Sequence, residues 1–286
     1  MSRVKLALLN GALLLCLIAG VAPSAFAQAV ARPAPAAIPT DVPANASETV
    51  VDSSIPDDAA VDKMLTVYSP RVRALDQVIG KLKGDLKTGG VGSGSLGNFV
   101  ADGMRAQAGA KLGKPIVLAV TNGGGLRKSI ISEGDLTLRD VFELLPFENA
   151  LVAFDLTGAQ VLDLLRIVLS HGDAQSGARI KYQGQSDQQL ELESAKFLVD
   201  GAEKEIDPAA VYTMISIDYL LNVTGSDYAV VLKQATNTRP LGLTTRDAIT
   251  AYIKSETAAG REIKSTLDGR WVVDQALSPT TEERKP

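Results

Sequence analysis

The sequence contains one histidine, His171, and this count limits the chemistry that the chain can perform. Catalytic metal sites usually combine several histidines with carboxylates, and a hydrolase triad needs one well-placed histidine. His171 follows a helical stretch that reaches Val168, so we expect it to complete the helix C-terminus and to face solvent. No serine stands in a Gly-x-Ser-x-Gly elbow, and no phosphate-binding P-loop occurs. We therefore expect neither catalytic residues nor a metal site on this chain, with hydrolysis through His171 as a minor alternative.

Three segments carry residue types that can bind a ligand. Residues 122–127, Asn-Gly-Gly-Gly-Leu-Arg, follow an apolar run. Their glycines, with Gly124 in the middle, let a backbone approach a ligand closely, and the arginine can hold an anion. Residues 145–150 place Phe147 beside two polar side chains, and residues 218–228 form a polar loop with two tyrosines and two aspartates. Each segment also has an ordinary structural interpretation: a tight turn, a core phenylalanine and a connecting loop.

The patterns around these segments predict an α+β fold. Apolar residues recur at three- and four-residue steps from Val61 to Ile79, which predicts an amphipathic helix at the start of the folded domain. Alternating helices and strands, followed by several strands in succession, indicate a single domain with a mixed sheet and flanking helices. Further helices are predicted over residues 96–108, 137–145 with Thr137 as cap, 157–168 and 248–253, and strands over residues 115–120, 150–156, 180–182, 190–199, 211–217 and 269–273.

The first 27 residues are typical of a cleaved secretory signal peptide. Arg3 and Lys5 precede an uncharged stretch from Leu6 to Val21, and an Ala-x-Ala site ends at Ala27. The apolar stretch is shorter than the roughly 20 residues of a spanning helix. We therefore expect a periplasmic or secreted protein that has no membrane segment after cleavage.

The mature chain is expected to be one domain with two polar extensions. Residues 28–54 are rich in alanine and proline and predict a disordered tether, residues 55–275 the folded domain, and residues 276–286 a disordered tail. The formal net charge is −4 and no long basic run occurs, so neither nucleic acid nor an anionic membrane is an expected partner.

In their order along the chain, these segments resemble the C-terminal domain of the 5′-nucleotidases, the family that includes periplasmic UDP-sugar hydrolases. The resemblance covers about residues 56–275. The motifs that carry it are Leu-Gly-Asn at 96–98, Asn-Gly-Gly-Gly-Leu-Arg at 122–127, Gly-Asp-Leu-Thr at 134–137, Leu-Pro-Phe-Glu-Asn at 145–149, Leu-Thr-Gly at 156–158 and Ser-Gly at 176–177.

The resemblance implies a nucleoside or nucleotide ligand held between two aromatic rings. The matching positions are Phe147 and Tyr219, and stacking suits this role because every base has a π-face. By the same resemblance Asn122 and Arg127 lie near base and phosphate, and Asn149 is a polar contact to the base. We expect the two rings to face each other across one pocket, on segments that leave three strands at equivalent ends.

The family's Gly-Gly-Asp-Gly loop supplies an aspartate to the ribose hydroxyls, and Asp227 is the nearest match. This loop departs from the pattern, because Ser226 and Tyr228 replace glycines and the spacing from Tyr219 to Asp227 is two residues longer than usual. If the longer loop rearranges the site, Tyr228 is the alternative second ring.

The family's metal-bearing domain has no counterpart in this sequence. The resemblance therefore implies the substrate-recognition half of a split nucleotidase, with no cofactor on this chain and a divalent metal only on a separate metallophosphatase chain. Water at neutral pH needs a metal to become a nucleophile, so we expect little hydrolysis by this chain alone. The alternative is a non-catalytic binding or interaction protein that retains the fold without its enzyme partner.

Overall fold

The computed structural model describes residues 47–184 and 190–274 of the chain. The predicted signal peptide, most of the predicted tether and the predicted tail lie outside these residues. The chain divides after Pro56, and the helices and strands described below belong to the unit that begins at Asp57.

The described residues contain eight α-helices and fourteen strands, with two three-residue 3-10 helices at Val91–Ser93 and Gly123–Gly125. The helices are α1 (Ala59–Thr66), α2 (Ser69–Ala74), α3 (Gly94–Leu112), α4 (Leu138–Leu144), α5 (Gly158–His171), α6 (Asp218–Asn222), α7 (Asp227–Leu232) and α8 (Thr245–Ala258). The strands are β1 (Val78–Lys83), β2 (Leu86–Lys87), β3 (Leu118–Thr121), β4 (Ile130–Ile131), β5 (Gly134–Thr137), β6 (Ala150–Thr157), β7 (Ala174–Ser176), β8 (Ala178–Gln183), β9 (Glu191–Val199), β10 (Ala202–Glu205), β11 (Val211–Ile217), β12 (Thr236–Thr244), β13 (Ile263–Lys264) and β14 (Trp271–Val273).

A five-stranded mixed sheet forms the centre of the domain, in the order β12-β6-β11-β3-β7. β11 runs parallel to β3 and antiparallel to β6. Every residue of the short strand β3 is buried, as expected for a strand covered on both faces. The other sheets have the orders β10-β9-β8-β14, β13-β1-β5 and β2-β4. The predicted α+β class with a mixed sheet is confirmed.

Capping side chains set the helix boundaries. The Thr157 hydroxyl accepts a hydrogen bond from the Gln160 N–H, and the Gln160 side chain accepts one from the Thr157 N–H. Such a capping box satisfies backbone donors that would otherwise lack partners at a helix start. Gly172 ends α5 in the left-handed region with φ 64°. Thr137 caps α4 in the same way, as the sequence predicts.

The prediction of one amphipathic helix over residues 61–79 is wrong. α1 and α2 are separate short helices, and Pro70 in the first turn of α2 supplies a helix start. Neither helix buries a residue, so the apolar stripe that they carry stays exposed. Val78 and Ile79 belong to β1, which pairs with β5, because strand pairing overrides the helical period there.

A buried arginine ties the last strand to the core. Arg270 is 5% exposed, and its guanidinium donates two hydrogen bonds each to the carboxylates of Asp102 and Asp268, at 2.7–3.0 Å. A fifth bond, of 2.9 Å, runs from Arg270 Nη1 to the Gln175 carbonyl oxygen. Burial alone would raise the pKa of Asp268, but the hydrogen bonds and charge of Arg270 hold it below its ordinary value. Arg270 thus links α3, β7 and the start of β14.

Within residues 47–184 and 190–274, no helix combines the length and apolar character needed to span a bilayer.

Replacing Arg270 with Met should destabilise the domain by about 3 kcal/mol, because two partly buried carboxylates would lose their partner. Urea unfolding followed by circular dichroism measures this difference. The matched control is Arg166→Met, which removes an exposed ion pair with Asp163 and should cost about 0–1 kcal/mol. Equal effects of the two substitutions would contradict a structural role for the Arg270 network.

Candidate functional site

One edge of the central sheet brings together the three segments singled out by the sequence. β3 and β11 are parallel, so residues 122–127 after β3 and residues 218–228 after β11 emerge at the same end. β6 runs in the opposite direction and begins at that end, directly after residues 145–149. The expectation that all three segments leave strands is thus wrong for the second, which enters a strand. The edge that they share is the candidate site.

The Asn-Gly-Gly-Gly segment forms a tight turn at this edge. The Gly125 N–H donates to the Asn122 carbonyl oxygen at 3.2 Å, and the Leu126 N–H donates to that of Gly123 at 3.0 Å. A Cβ at Gly123 would collide with Ser93 Oγ, so any other residue there would have to displace the Ser93 hydroxyl. The side-chain oxygen Oδ1 of Asn122 is buried and has no hydrogen-bond partner among the described residues. As a buried acceptor without a partner, it is not open to a ligand in this side-chain conformation.

A buried carboxylate joins this turn to the third segment. Asp173 is 6% exposed; its Oδ1 accepts the Gly123 N–H at 2.7 Å, and its Oδ2 accepts the Tyr228 O–H at 2.6 Å. Burial raises the pKa of Asp173 and of Tyr228. Sequence reasoning missed Asp173, and its place directly after the helix-ending Gly172 is the only local signal. Tyr228 is 3% exposed, so it is a structural anchor and not the alternative stacking ring.

The two aromatic candidates lie outside the core. Phe147 is 49% and Tyr219 51% exposed, and neither ring stacks on another aromatic ring in the described part of the chain. The interpretation of Phe147 as a core residue is therefore wrong. The Arg127 guanidinium carbon lies 5.9 Å from the centre of the Phe147 ring, within range of a cation–π contact.

The backbone beneath these exposed rings is held firmly. Arg246 on α8 donates to the carbonyl oxygens of Leu145 and Pro146 at 3.0 and 2.7 Å. The Asn149 carbonyl oxygen accepts the Thr245 N–H at 2.9 Å. Asp218, which precedes Tyr219, accepts the Ala150 N–H at 3.0 Å. Exposed aromatic side chains on a fixed backbone are typical of binding sites, because little freedom remains to be lost when a ligand binds.

A polar cavity of about 490 Å³ adjoins the Asn-Gly-Gly-Gly turn. Its lining includes the glycines at 89 and 90, Ser93, Gly123, Arg127 and Lys128. Lys128 is paired with Asp140 and Glu143. Arg127 makes no ion pair within the described residues, and its one side-chain hydrogen bond, of 3.4 Å, goes to the Gly124 carbonyl oxygen. The cavity therefore offers a cation to an anionic ligand.

His171 and Asp227 meet beside the third segment. His171 Nε2 and Asp227 Oδ2 are 3.3 Å apart, and both side chains are exposed. His171 is the last residue of α5, as predicted, and Asp227 is the first residue of α7. Across the described ranges, no three histidine, cysteine, aspartate or glutamate side chains are grouped in a way that could hold a metal ion.

Replacing Asp173 with Asn should change how stability depends on pH. Burial raises the pKa of Asp173 in the folded protein above its ordinary value of 3.8, so the folded state takes up a proton more readily than the unfolded chain. The resulting stabilisation is complete below the unfolded pKa and is lost as pH rises through the folded pKa. Between pH 7 and pH 4 the wild type should therefore gain unfolding free energy relative to the variant, measured in urea. A difference that is constant with pH, or that falls on acidification, would contradict the buried carboxylate.

Comparison with known proteins identifies the family of the domain. Residues 78–234 match the sequence model of the 5′-nucleotidase C-terminal domain. The chain therefore belongs to the 5′-nucleotidase C-terminal domain family, and the resemblance inferred from its motifs is confirmed.

The curated relatives are much longer than the matched region. The chain is 30% identical over 201 residues to the trifunctional nucleotide phosphoesterase protein YfkN of Bacillus subtilis, a match that covers 66% of this chain and 13% of that protein. It is 28% identical over 193 residues to the 5′-nucleotidase of Vibrio vulnificus, covering 65% of this chain and 32% of that one. The chain thus spans a third or less of these relatives.

Solved structures show the same fold. The 5′-nucleotidase precursor of Thermus thermophilus superposes with a TM-score of 0.62 at 27% identity, over 77% of this chain and 44% of that one. The NAD nucleotidase of Haemophilus influenzae superposes with a TM-score of 0.56 at 17% identity, over 76% of this chain and 41% of that one. The second likeness, at this low identity, concerns the fold alone.

Proposed function

We propose that this chain binds a nucleoside or nucleotide at the sheet edge and is the substrate-recognition half of a split nucleotidase. The observation that carries the proposal is the exposure of Phe147 and Tyr219 at the edge where this chain's Asn-Gly-Gly-Gly-Leu-Arg segment turns. An exposed aromatic ring on a fixed backbone loses water from a large apolar face when a base stacks on it, and stacking contributes about 1–3 kcal/mol per base.

The polar groups around the rings fit the remaining parts of a nucleotide. The Asn122 side chain at the turn and the Asn149 amide next to the start of β6 are our proposed polar contacts to the base. Arg127, which contacts Phe147 and lines the adjoining cavity, is placed to hold a phosphate. We assign Gly124 to the exposed crest of the turn, where the absence of a side chain leaves the backbone open to the ligand.

Asp227 is our proposed contact to the ribose hydroxyls. Its carboxylate is largely exposed, and His171 is a neighbour that leaves further acceptor positions free. Because Asp173 and Tyr228 fix the start of α7 to the Asn-Gly-Gly-Gly turn, the longer loop after Tyr219 does not detach Asp227 from the edge.

We propose that the hydrolytic step belongs to a separate metallophosphatase chain that carries the divalent metal, and that this chain has no cofactor of its own. The basis is the number of histidines. A two-metal hydrolytic site uses several histidines, and the sequence contains one. In the proposed reaction this chain binds and orients the nucleotide while the partner activates water. We also propose export to the periplasm or the medium, from the signal-like residues 1–27.

Phe147→Ala and Tyr219→Ala should each weaken adenosine binding by about 1–3 kcal/mol, roughly tenfold to a hundredfold, while leaving the melting temperature close to that of the wild type. Titration calorimetry in EDTA measures the affinity without any metal. The control is Tyr68→Ala, which removes a ring of similar exposure outside the site. Unchanged affinity in both site variants would contradict stacking.

The purified chain should release no phosphate from AMP above background when Mn²⁺ is added, because it lacks the ligands for a two-metal site. Phosphate release is measured on a preparation free of host phosphatases. Activity that is present in the wild type and lost in His171→Ala would establish hydrolysis by this chain. It would contradict the proposal that a separate chain performs the hydrolytic step.

A further inference from the structure

A second cavity, of about 560 Å³, opens at the beginning of β3. Its lining includes Pro115 and Val117, which precede that strand, whereas the candidate nucleotide site follows the end of the same strand at Asn122. The two sites therefore lie at opposite ends of β3. A volume of this size is within the range of small-molecule pockets.

Arg105, on α3, is the unpaired cation among the described residues that line this cavity. Its guanidinium makes no hydrogen bond and no ion pair within residues 47–184 and 190–274. A Cβ added to Gly177 would stand 2.9 Å from Arg105 Nη1 and would collide with the Val117 carbonyl oxygen. The glycine of the Ser-Gly motif therefore leaves the space that the guanidinium occupies. Burial lowers the pKa of Arg105 below its ordinary value, although the nearby carboxylates of Asp102 and Asp268 act in the opposite direction.

Three carboxylates line the cavity. Arg270 binds two of them, Asp102 and Asp268, each through two hydrogen bonds, and the third, Asp200, is exposed. The charges of Asp102, Asp268, Arg105 and Arg270 sum to zero, and the exposed carboxylate of Asp200 adds one negative charge to the lining. A partly buried, unpaired guanidinium attracts one negative charge, whereas a polyanion such as a nucleoside triphosphate would be repelled by the neighbouring carboxylates.

The rest of the wall is apolar or aromatic. Ile116, Val117 and Leu198 face the cavity on one side. Tyr252 lines another side, and its hydroxyl makes no hydrogen bond within the described part of the chain. A ligand that fits must combine one anionic group with an apolar body.

We infer that this cavity binds a small organic monocarboxylate, with the carboxylate on the Arg105 guanidinium and the apolar body against Ile116 and Val117. The planar guanidinium matches a carboxylate through two parallel hydrogen bonds. This site is independent of the proposed nucleotide site and does not rest on it.

The test uses benzoate as the charged probe and benzamide as the neutral probe of nearly the same shape. Benzoate should bind saturably to the full chain in titration calorimetry, and benzamide should bind at least about tenfold more weakly because it lacks the charge. Arg105→Gln should reduce benzoate affinity at least about tenfold, whereas Arg166→Gln, which alters an exposed arginine on α5, should leave it unchanged.

A second variant keeps the test decisive if Arg105→Gln fails to fold. Ala106 is exposed at the cavity rim, and Ala106→Trp fills the space without changing any charge, so it should abolish benzoate binding while the domain stays folded. Adenosine at saturation should not displace benzoate. Absence of saturable benzoate binding, equal affinity for benzamide, unchanged binding in the folded Arg105→Gln or Ala106→Trp variant, or displacement by adenosine would each overturn the inference.

Discussion

The pairing of β11 with β3 on one side and with β6 on the other determines which segments meet at the candidate site. Parallel pairing places the residues after β3 and β11 at one end, and antiparallel pairing brings the residues before β6 to the same end. The Ser216 hydroxyl donates to the Val120 carbonyl oxygen at 2.9 Å and reinforces the parallel pair inside the core. A shift of one residue in either pairing would turn buried side chains to the opposite face. The site therefore depends on register, which the core enforces.

The edge joins fixed backbone with exposed side chains. Asp173 accepts hydrogen bonds from the Asn-Gly-Gly-Gly turn and from Tyr228 at the start of α7. Arg246 on α8 donates hydrogen bonds to the segment before β6. Phe147 and Tyr219 project from this frame into solvent. Truncating either ring should therefore leave the core intact, so that an effect on ligand binding can be measured apart from an effect on stability.

Local sequence signals predicted much of the fold. Thr137 and Thr157 each stand three residues before a side chain that completes a capping box, so their helix starts can be read from a few neighbouring residues. The same approach failed for residues 61–79, where a helical period continues into β1 and only the pairing with β5 shows the change. Local pattern cannot reveal a partner that lies far away in the sequence.

The interactions between distant residues were accordingly not predictable. Asp173 and Tyr228 are 55 residues apart, and Arg270 and Asp102 are 168 apart. The family resemblance supplied the candidates Asn122, Phe147 and Tyr219, but it gave no indication that Tyr228 is buried or that Arg105 lacks a partner. Burial and unpaired polar groups emerge only when the chain is folded.

The most direct test of the nucleotide-binding account is a crystal structure of the chain with AMP at saturating concentration and without metal. The account predicts adenine stacked between Phe147 and Tyr219, with the phosphate directed toward Arg127. AMP bound only elsewhere on the domain, or absent from the sheet edge at saturation, would contradict it.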